Sequence, residues 1–345
     1  YYLTLATSPL GVNAPTGEGW YDAGTYASIS TTQYVDIVLG SSRYRFNGWT
    51  TADMSEITDP SATSTTVLTD KAKTVTANYV TQYNVTFDQT GVGSDFTGTV
   101  VVIDGADYGV SALPVSFWYD SGSIHNFTFQ SPLVVPPGAK EYHWNSTSGL
   151  SSLQSGSITV AGSGSVTGNY VTRVHDVAVT NVVANRTWVY QGKPCGFGVN
   201  VTVVNKGDFP ETVNVTLYYN ITADQVIGTQ IINLLLGESQ TLVFTWNTTG
   251  VEYCHNYTLT GVATIPADYY PADNTLANGT VKVRILGDIN DDGKVDMKDL
   301  RTMAIAFGSY PSDPKWNPDA DLDQSGGIDM KDIRLAAKNF GICGI

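Results

Sequence analysis

Val75-Thr76-Ala77-Asn78-Tyr79-Val80-Thr81 returns in the same chain as Val166-Thr167-Gly168-Asn169-Tyr170-Val171-Thr172. Working outward, Trp20-Tyr21-Asp22-Ala23-Gly24 recurs as Trp118-Tyr119-Asp120-Ser121-Gly122. The strand openings Tyr2-Leu3-Thr4-Leu5 and Asn84-Val85-Thr86-Phe87 correspond as well. Residues 1–82 and 83–173 therefore read as two copies of one β-module, because self-similarity at this period marks a repeated supersecondary unit. The last strand of the first copy runs straight into the first strand of the second, without a flexible linker, and so predicts a stiff rod. Within each copy the Trp and Tyr are expected to anchor a small core, and the Asp-x-Gly after them reads as a turn.

Composition supports a mainly β chain. Of 345 residues only 14% are charged and 42% are apolar, so packed cores are available and disorder is not expected. Gly, Thr, Ser, Tyr and Val are abundant, and β-branched and aromatic side chains suit a half-buried pleated surface. A formal net charge of −14, with no basic stripe to counter it, argues against nucleic-acid binding. No run approaches the roughly 18 apolar residues of a membrane-spanning helix. No secretory signal is present, and the chain opens directly on a strand, so it reads as a mature or excised piece of a longer product. On the Trp-Tyr-Asp-x-Gly and Asn-Tyr-Val-Thr signatures, residues 1–173 resemble the short β-repeats of archaeal and bacterial surface proteins, relatives of the internalin-type B repeats. The resemblance implies spacer modules.

Residues 174–286 change pattern. Phe197, Val199, Val201 and Val203 alternate with their neighbours, as do Val213, Val215 and Leu217, the period of a strand with one buried face. Further strands are predicted at 226–235, 240–247, 254–263 and 279–286, and this spacing of short strands predicts an immunoglobulin-like sandwich. His175-Asp176-Val177-Ala178-Val179, Val204-Asn205-Lys206-Gly207-Asp208 and Ala272-Asp273-Asn274 resemble the CARDB family of adhesion-related sandwich domains. Many members are structural modules, which implies no chemistry. Cys195 and Cys254 fall at the starts of the second and penultimate strands and would suit a disulfide, which favours an oxidising compartment. Cys343 is left over, either as a free thiol or for an intermolecular bridge.

The last segment, 287–345, carries two acidic loops in one register. Asp288, Asn290, Asp292, Gly293, Asp296 and Asp299 fill positions 1, 3, 5, 6, 9 and 12, and Asp321, Asp323, Ser325, Gly326, Asp329 and Asp332 repeat them. Hard oxygen donors at alternate positions converge on a cation as the loop coils, glycine at position 6 permits the turn, and the carbonyl of Lys294 or Gly327 completes the set. Two calcium ions are predicted. Leu300, Met303, Ala304 and Phe307, and their twins Ile333, Ala336, Ala337 and Phe340, predict one amphipathic helix after each loop. A duplicated loop-then-helix resembles a dockerin. The resemblance implies cohesin binding through positions 10 and 11, but these are Met297-Lys298 and Met330-Lys331 rather than the usual Ser/Thr pair. The alternative is that the module packs on the adjacent sandwich or on a neighbouring subunit.

Ten Asn-x-Thr sequons stand at Asn84, Asn126, Asn145, Asn185, Asn200, Asn214, Asn220, Asn247, Asn256 and Asn278. They predict N-linked glycans on an extracellular surface. No catalytic constellation is legible: His125, His143, His175 and His255 are scattered, and Asp88, Asp95, Asp104 and Asp107 read as turn residues. The sequence thus predicts tandem small β-modules, an Ig-like sandwich and a small helical calcium module. As a whole it reads as a non-catalytic cell-surface protein that self-assembles with identical subunits into a fibre or layer. Tyr1–Leu5 is expected to add to a sheet of the next subunit. A dockerin-bearing protein on a cohesin scaffold is the second reading. Carbohydrate binding or adhesion, through Trp20, Trp49, Trp118, Trp144 or Trp188, is the third.

Overall fold

The computed structural model describes residues 1–345 except 193–196, 221–223 and 344–345. The chain is mainly β, with two α-helices close to its end. It divides into two compact units, one of residues 1–135 with 141–172 and one of 136–140 with 173–345.

In the first unit both repeats hang on one strand of 18 residues, Lys73–Thr90. Its first half lies parallel to Tyr2–Ser8, pairing Leu3 with Lys73 and Ser8 with Asn78. Its second half lies parallel to Gly164–Val174, pairing Gly164 with Val85 and Asn169 with Thr90. In each copy, then, the last strand runs beside the first. The other edges are antiparallel: Ser42–Thr50 along the first copy and Val115–Asp120 along the second. Leu3, Ile29, Phe46, Trp49, Val75 and Ala77 form one core, and Val85, Phe87, Phe127, Phe129, Tyr142 and Val166 the other.

The Asn-Tyr signature now has a physical reason. Asn78 Nδ2 donates to Gly48 O at 3.1 Å, tying off the bulge between Phe46 and Gly48. Tyr79 reaches across its core to donate to Thr32 O at 2.9 Å. In the second copy Asn169 Nδ2 donates to Ser146 O at 3.4 Å and Tyr170 OH to Gln130 O at 2.8 Å. Each pair thus ties the last strand of its copy to part-buried carbonyls on neighbouring segments. The Asp-x-Gly turns close on left-handed glycines, Gly24 at φ +78 and Gly122 at φ +83, a conformation glycine adopts without steric cost.

Two expectations fail. Trp20 anchors no core, being 79% exposed. Nor does Tyr1–Leu5 offer a free edge. Gly19–Trp20 already pairs with Tyr2 and Leu3, and the Glu18 carboxylate accepts from Leu5 N at 2.9 Å. Strand addition there would have to displace both.

The second unit opens with an Ig-like sandwich. One sheet orders Val177–Ala184, Gly198–Asn205 and Ser239–Thr245; the other orders Trp188–Tyr190, Thr275–Arg284, His255–Thr264, Glu211–Asn220 and Gln225–Leu234. The predicted strands match these to within a few residues. Alternation places Val199, Val201, Val203, Val213, Val215 and Leu217 inward, each fully buried. Gly261 is required where the sheets meet, since a Cβ there would lie 2.9 Å from Val182 Cγ2 and 3.1 Å from Val201 Cγ1. We expect Gly261→Ala to destabilise by about 1–3 kcal/mol through overpacking. A urea midpoint within error of the wild type would contradict this.

Candidate functional site

The two acidic loops fold alike. Asp288 Oδ1 and Oδ2 accept from Asp292 N (3.1 Å) and Gly293 N (3.0 Å). Asp321 accepts from Ser325 N (3.0 Å) and Gly326 N (2.9 Å). Position 4 of each loop is left-handed, Asp291 at φ 59 and Gln324 at φ 58, as is the glycine at position 6, at φ 82 in both. This coiling turns the position-1 carboxylate toward the loop's own amides. Asp296 and Asp329 cap the helices α1 (Met297–Ala306) and α2 (Met330–Lys338) in reciprocal capping boxes with Asp299 and Asp332. Asp299 is fully buried and accepts from Ile289 N, Asn290 N and Asp296 N at 2.8, 3.2 and 2.9 Å. Asp332, equally buried, accepts from Asp323 N and Asp329 N at 3.0 and 2.8 Å.

In the second loop one carboxylate oxygen from each of Asp321, Asp323 and Asp332 lies within 4.8 Å of the others. Oxygens so spaced can touch one cation at the 2.3–2.6 Å typical of calcium, and an all-oxygen donor set suits a hard ion. The first loop places the Asn290 amide where the second has Asp323. Burial pushes the Asp288 and Asp321 carboxyls above their ordinary range, and Asp299 or Asp332 adds to this as a like charge. Asp292 and Asp323 are held below it by bonds from Asn290 and Ser325. Lys294 and Gly327 sit at position 7, where Ser325 Oγ already donates to the Gly327 carbonyl at 3.1 Å.

The helices bury only half of the stripes predicted for them: Leu300, Met303, Ile333 and Ala336 belong to the module's core. Met303, Ala306 and Ala336 point inward, whereas Ala304 and Ala337 are exposed and Phe307 and Phe340 are 46% and 49% exposed. The reason is a second packing surface. Tyr190 of the sandwich enters the module's core with Trp188, and its hydroxyl, 2.9 Å from Asp319 O, also contacts Asp288 O at 3.4 Å. Arg284 lies over the Trp188 ring at 4.2 Å and pairs with Asp291 at 3.1 Å and Asp319 at 3.6 Å, while Lys282 pairs with Asp291 at 2.8 Å. The acidic module is thus built onto the sandwich. A cleft of about 570 Å³ between Arg186, Trp188, Trp316, Asp319 and Asp321 remains beside this contact.

Eight sequon asparagines are exposed: Asn126, Asn145, Asn185, Asn200, Asn214, Asn247, Asn256 and Asn278. Asn84 is half-buried, its Nδ2 donating to Gly40 O at 3.1 Å, and Asn220 donates to Asp224 at 2.6 Å. The Thr of the Asn220 sequon and Cys195 lie outside the described residues, and the Cys195–Cys254 pairing falls there with them. Of the five tryptophans proposed as a sugar platform, Trp49 is buried, Trp144 and Trp188 are packed, and Trp118 lies under Arg43.

Sequence reasoning missed a Ser–His–Asp line in the second repeat. Ser123 Oγ is 2.8 Å from His125 Nε2, and His125 Nδ1 is 2.7 Å from Asp104 Oδ2. The Ser-x-His spacing across a hairpin was its only signal. The line has the order of an acyl-transfer triad, but the two backbone amides at the serine are not free to serve as oxyanion donors. Gly122 N and Ser123 N already bond Val160 O and Asp120 O, and the Ser123 hydroxyl donates to Asp120 O at 2.7 Å.

No family model matches the chain, and no curated protein matches it. Among solved structures it is similar to the crystal structure of the CARDB domain of the PF1109 protein from Pyrococcus furiosus, in complex with di-metal ions. The identity is 19%, over 32% of this chain and 88% of that one, with a TM-score of 0.26. The solution structure of that domain is 19% identical over 32% of this chain and 96% of its own, TM-score 0.27. The β-glucosidase EmGH1 from Erythrobacter marinus is 18% identical over 31% of this chain and only 15% of its own length, TM-score 0.25. At such scores these likenesses add nothing to the strand order, on which the Ig-like assignment of residues 174–286 rests. No helix among the described residues is long and apolar enough to cross a membrane.

A second group of carboxylates lies at the start of the sandwich. Asp268 accepts from Val177 N and Tyr270 N, each at 2.9 Å, and Asp273 from Lys206 Nζ at 2.6 Å. Among the described residues, one buried oxygen each of Asp176, Asp273 and Asn274 finds no donor. Burial raises the Asp176 carboxyl to about 6, helped by Asp268 and Asp273 and opposed by Lys206. The folded state therefore holds this proton where the unfolded chain has lost it, so stability falls as pH rises from about 4 to 6. We expect Asp176→Asn to flatten that slope and add about 1 kcal/mol at pH 7, a figure already reduced for partial solvent access. Urea midpoints at pH 4 and 7 with unchanged spacing between wild type and variant would refute it.

Proposed function

We propose that the chain is a non-catalytic, secreted, glycosylated cell-surface protein, a protomer of an extracellular fibre or layer in which calcium locks the last module. The observation that carries the reading is the seat of that module: Tyr190 fills its core and contacts the backbone at Asp288 and Asp319, beside both acidic loops. A module anchored in this way is an integral extension of the sandwich. Asp288, Asn290, Asp292 and Asp299 would hold one ion, with Asp296 acting through water. Asp321, Asp323, Ser325 and Asp332 would hold the other, with Asp329 in the Asp296 role and the Lys294 and Gly327 carbonyls in support. Calcium would supply the positive charge that these carboxylates lack. Exposed sequon asparagines, most of them on the sandwich, suit a glycan coat that shields strand faces from unwanted pairing. The β-repeats, the CARDB-type sandwich and the dockerin-like module are spacer, body and clamp in this reading.

One observation favours the cohesin alternative. Met297 and Met330 are 67% and 64% exposed at equivalent helix starts, each followed by an exposed lysine. A cohesin would take this duplicated face rather than the face covered by the sandwich.

Titration with calcium is expected to show two ions, and calcium at about 100 times its Kd to add about 2.7 kcal/mol per site. Asp332→Asn should remove one ion, and excess EDTA should lower the melting temperature of the last module and break down any assembly seen by light scattering. Identical melting and scattering in calcium and in EDTA would end the calcium-lock reading. Capture of a cohesin that is lost on changing Met297-Lys298 together with Met330-Lys331 would favour the alternative.

A further inference from the structure

The two repeats carry the same surface motif in different circumstances. In the second copy Trp118 and Asp120, two residues apart on one strand face, are gripped by Arg43 and Arg45, two apart on the strand Ser42–Thr50 of the first copy. The Arg43 guanidinium sits 3.8 Å from the Tyr34 ring centre and 4.2 Å from that of Trp118. Arg45 forks onto Asp120, with Nη2 at 2.8 Å and Nε at 3.3 Å. Gln82 ties both together, accepting from Arg43 Nε at 2.9 Å and donating to Asp120 at 2.9 Å. This hydrogen-bonded ion pair holds the Asp120 carboxyl below the usual carboxylate range.

Trp20 and Asp22 are the same two residues in the first copy, in the same register: Trp20 stands opposite Tyr2 as Trp118 stands opposite Asn84. Nothing grips them. Trp20 is 79% exposed, its ring contact being an edge-on one with Tyr2 at 5.3 Å. Asp22 is exposed and forms no ion pair among the described residues. With Tyr1 and Thr25 they line an open hollow of about 490 Å³.

We propose that the Trp20–Asp22 face docks a β-strand partner presenting two arginines as Arg-x-Arg. One guanidinium would stack on Trp20 and the other would fork onto Asp22, as Arg43 and Arg45 do at Trp118 and Asp120. The negative chain, at −14, favours a basic partner. A second copy does not fit. Its Arg43 and Arg45 are engaged, and the residues aligned with them in its other repeat are Glu141 and His143, which pair with each other at 2.7 Å. The partner is therefore a β-module other than these two repeats, with the chemistry of the strand Ser42–Thr50.

The probe is a cyclised, fluorescently labelled hairpin peptide with the sequence of residues 33–50, titrated with the full chain and followed by anisotropy. We expect saturable binding that weakens tenfold or more with Trp20→Ala or Asp22→Asn, and equally when both peptide arginines become glutamine. Both chain variants lie on the surface, and their unchanged melting confirms their folding. Absence of saturable binding, or binding indifferent to both variants, overturns the proposal. So does a face that quenches Trp20 with oligosaccharides while ignoring the peptide, or Trp20-dependent dimerisation of the chain alone.

Discussion

The strand Lys73–Thr90 sets the terms for everything before residue 174. Its odd-numbered side chains point inward in both repeats: Val75, Ala77 and Tyr79 into one core, Val85 and Phe87 into the other. A slip of one residue against any neighbour would turn all of them outward at once. Two cores thus share one register, and neither can shift without the other. The buried Gln82 between them is the single break in alternation, and it is the residue whose amide joins Arg43 to Asp120. The continuity that takes the place of a linker also builds the polar junction.

That junction explains why identical motifs end in different environments. A Trp-x-Asp pair on an edge strand is not in itself a core element. In the second copy it becomes half-buried because a preceding module supplies an aromatic-guanidinium sandwich and a forked ion pair. In the first copy the same residues stay open. The ion pair is partly exposed, 28% for Arg45 and 41% for Asp120, and contributes on the order of 1 kcal/mol. Its geometry serves to select a partner more than to hold one.

Much of this was legible in the sequence, because period-2 alternation and loop spacing are local signals. The repeats, the sandwich strands and both acidic loops could be read from residues a few positions apart. What could not be read depends on contacts between distant residues. Trp20 and Trp118 differ only in whether Arg43, far off in sequence, lies over them. The helix stripes were right in Leu300, Met303, Ile333 and Ala336 and too wide in the rest, because Tyr190 supplies part of the core that the helices were expected to fill alone. Likewise the line from Ser123 through His125 to Asp104 needs a second hairpin to bring the aspartate in.

The last module carries an electrostatic problem that local structure leaves unsolved. Asp299 and Asp332 are fully buried, and each is balanced only by backbone amides and a helix N-terminus. Position-1 carboxylates face them, with proton affinities raised by burial. Lys282 and Arg284 are drawn to Asp291 and Asp319 on the sandwich side, and Lys298 reaches Asp292, at 3.6 Å, rather than the buried carboxyl groups. The loops therefore crowd carboxyl groups where water reaches poorly, and in the proposed reading a bound divalent cation would relieve that crowding at both positions together. In the proposed reading, the same ions would set the backbone at Asp288 that Tyr190 touches, and would stiffen the seat on the sandwich. Metal binding and docking would then be one equilibrium, which is what a structural clamp requires and a freely swinging plug does not.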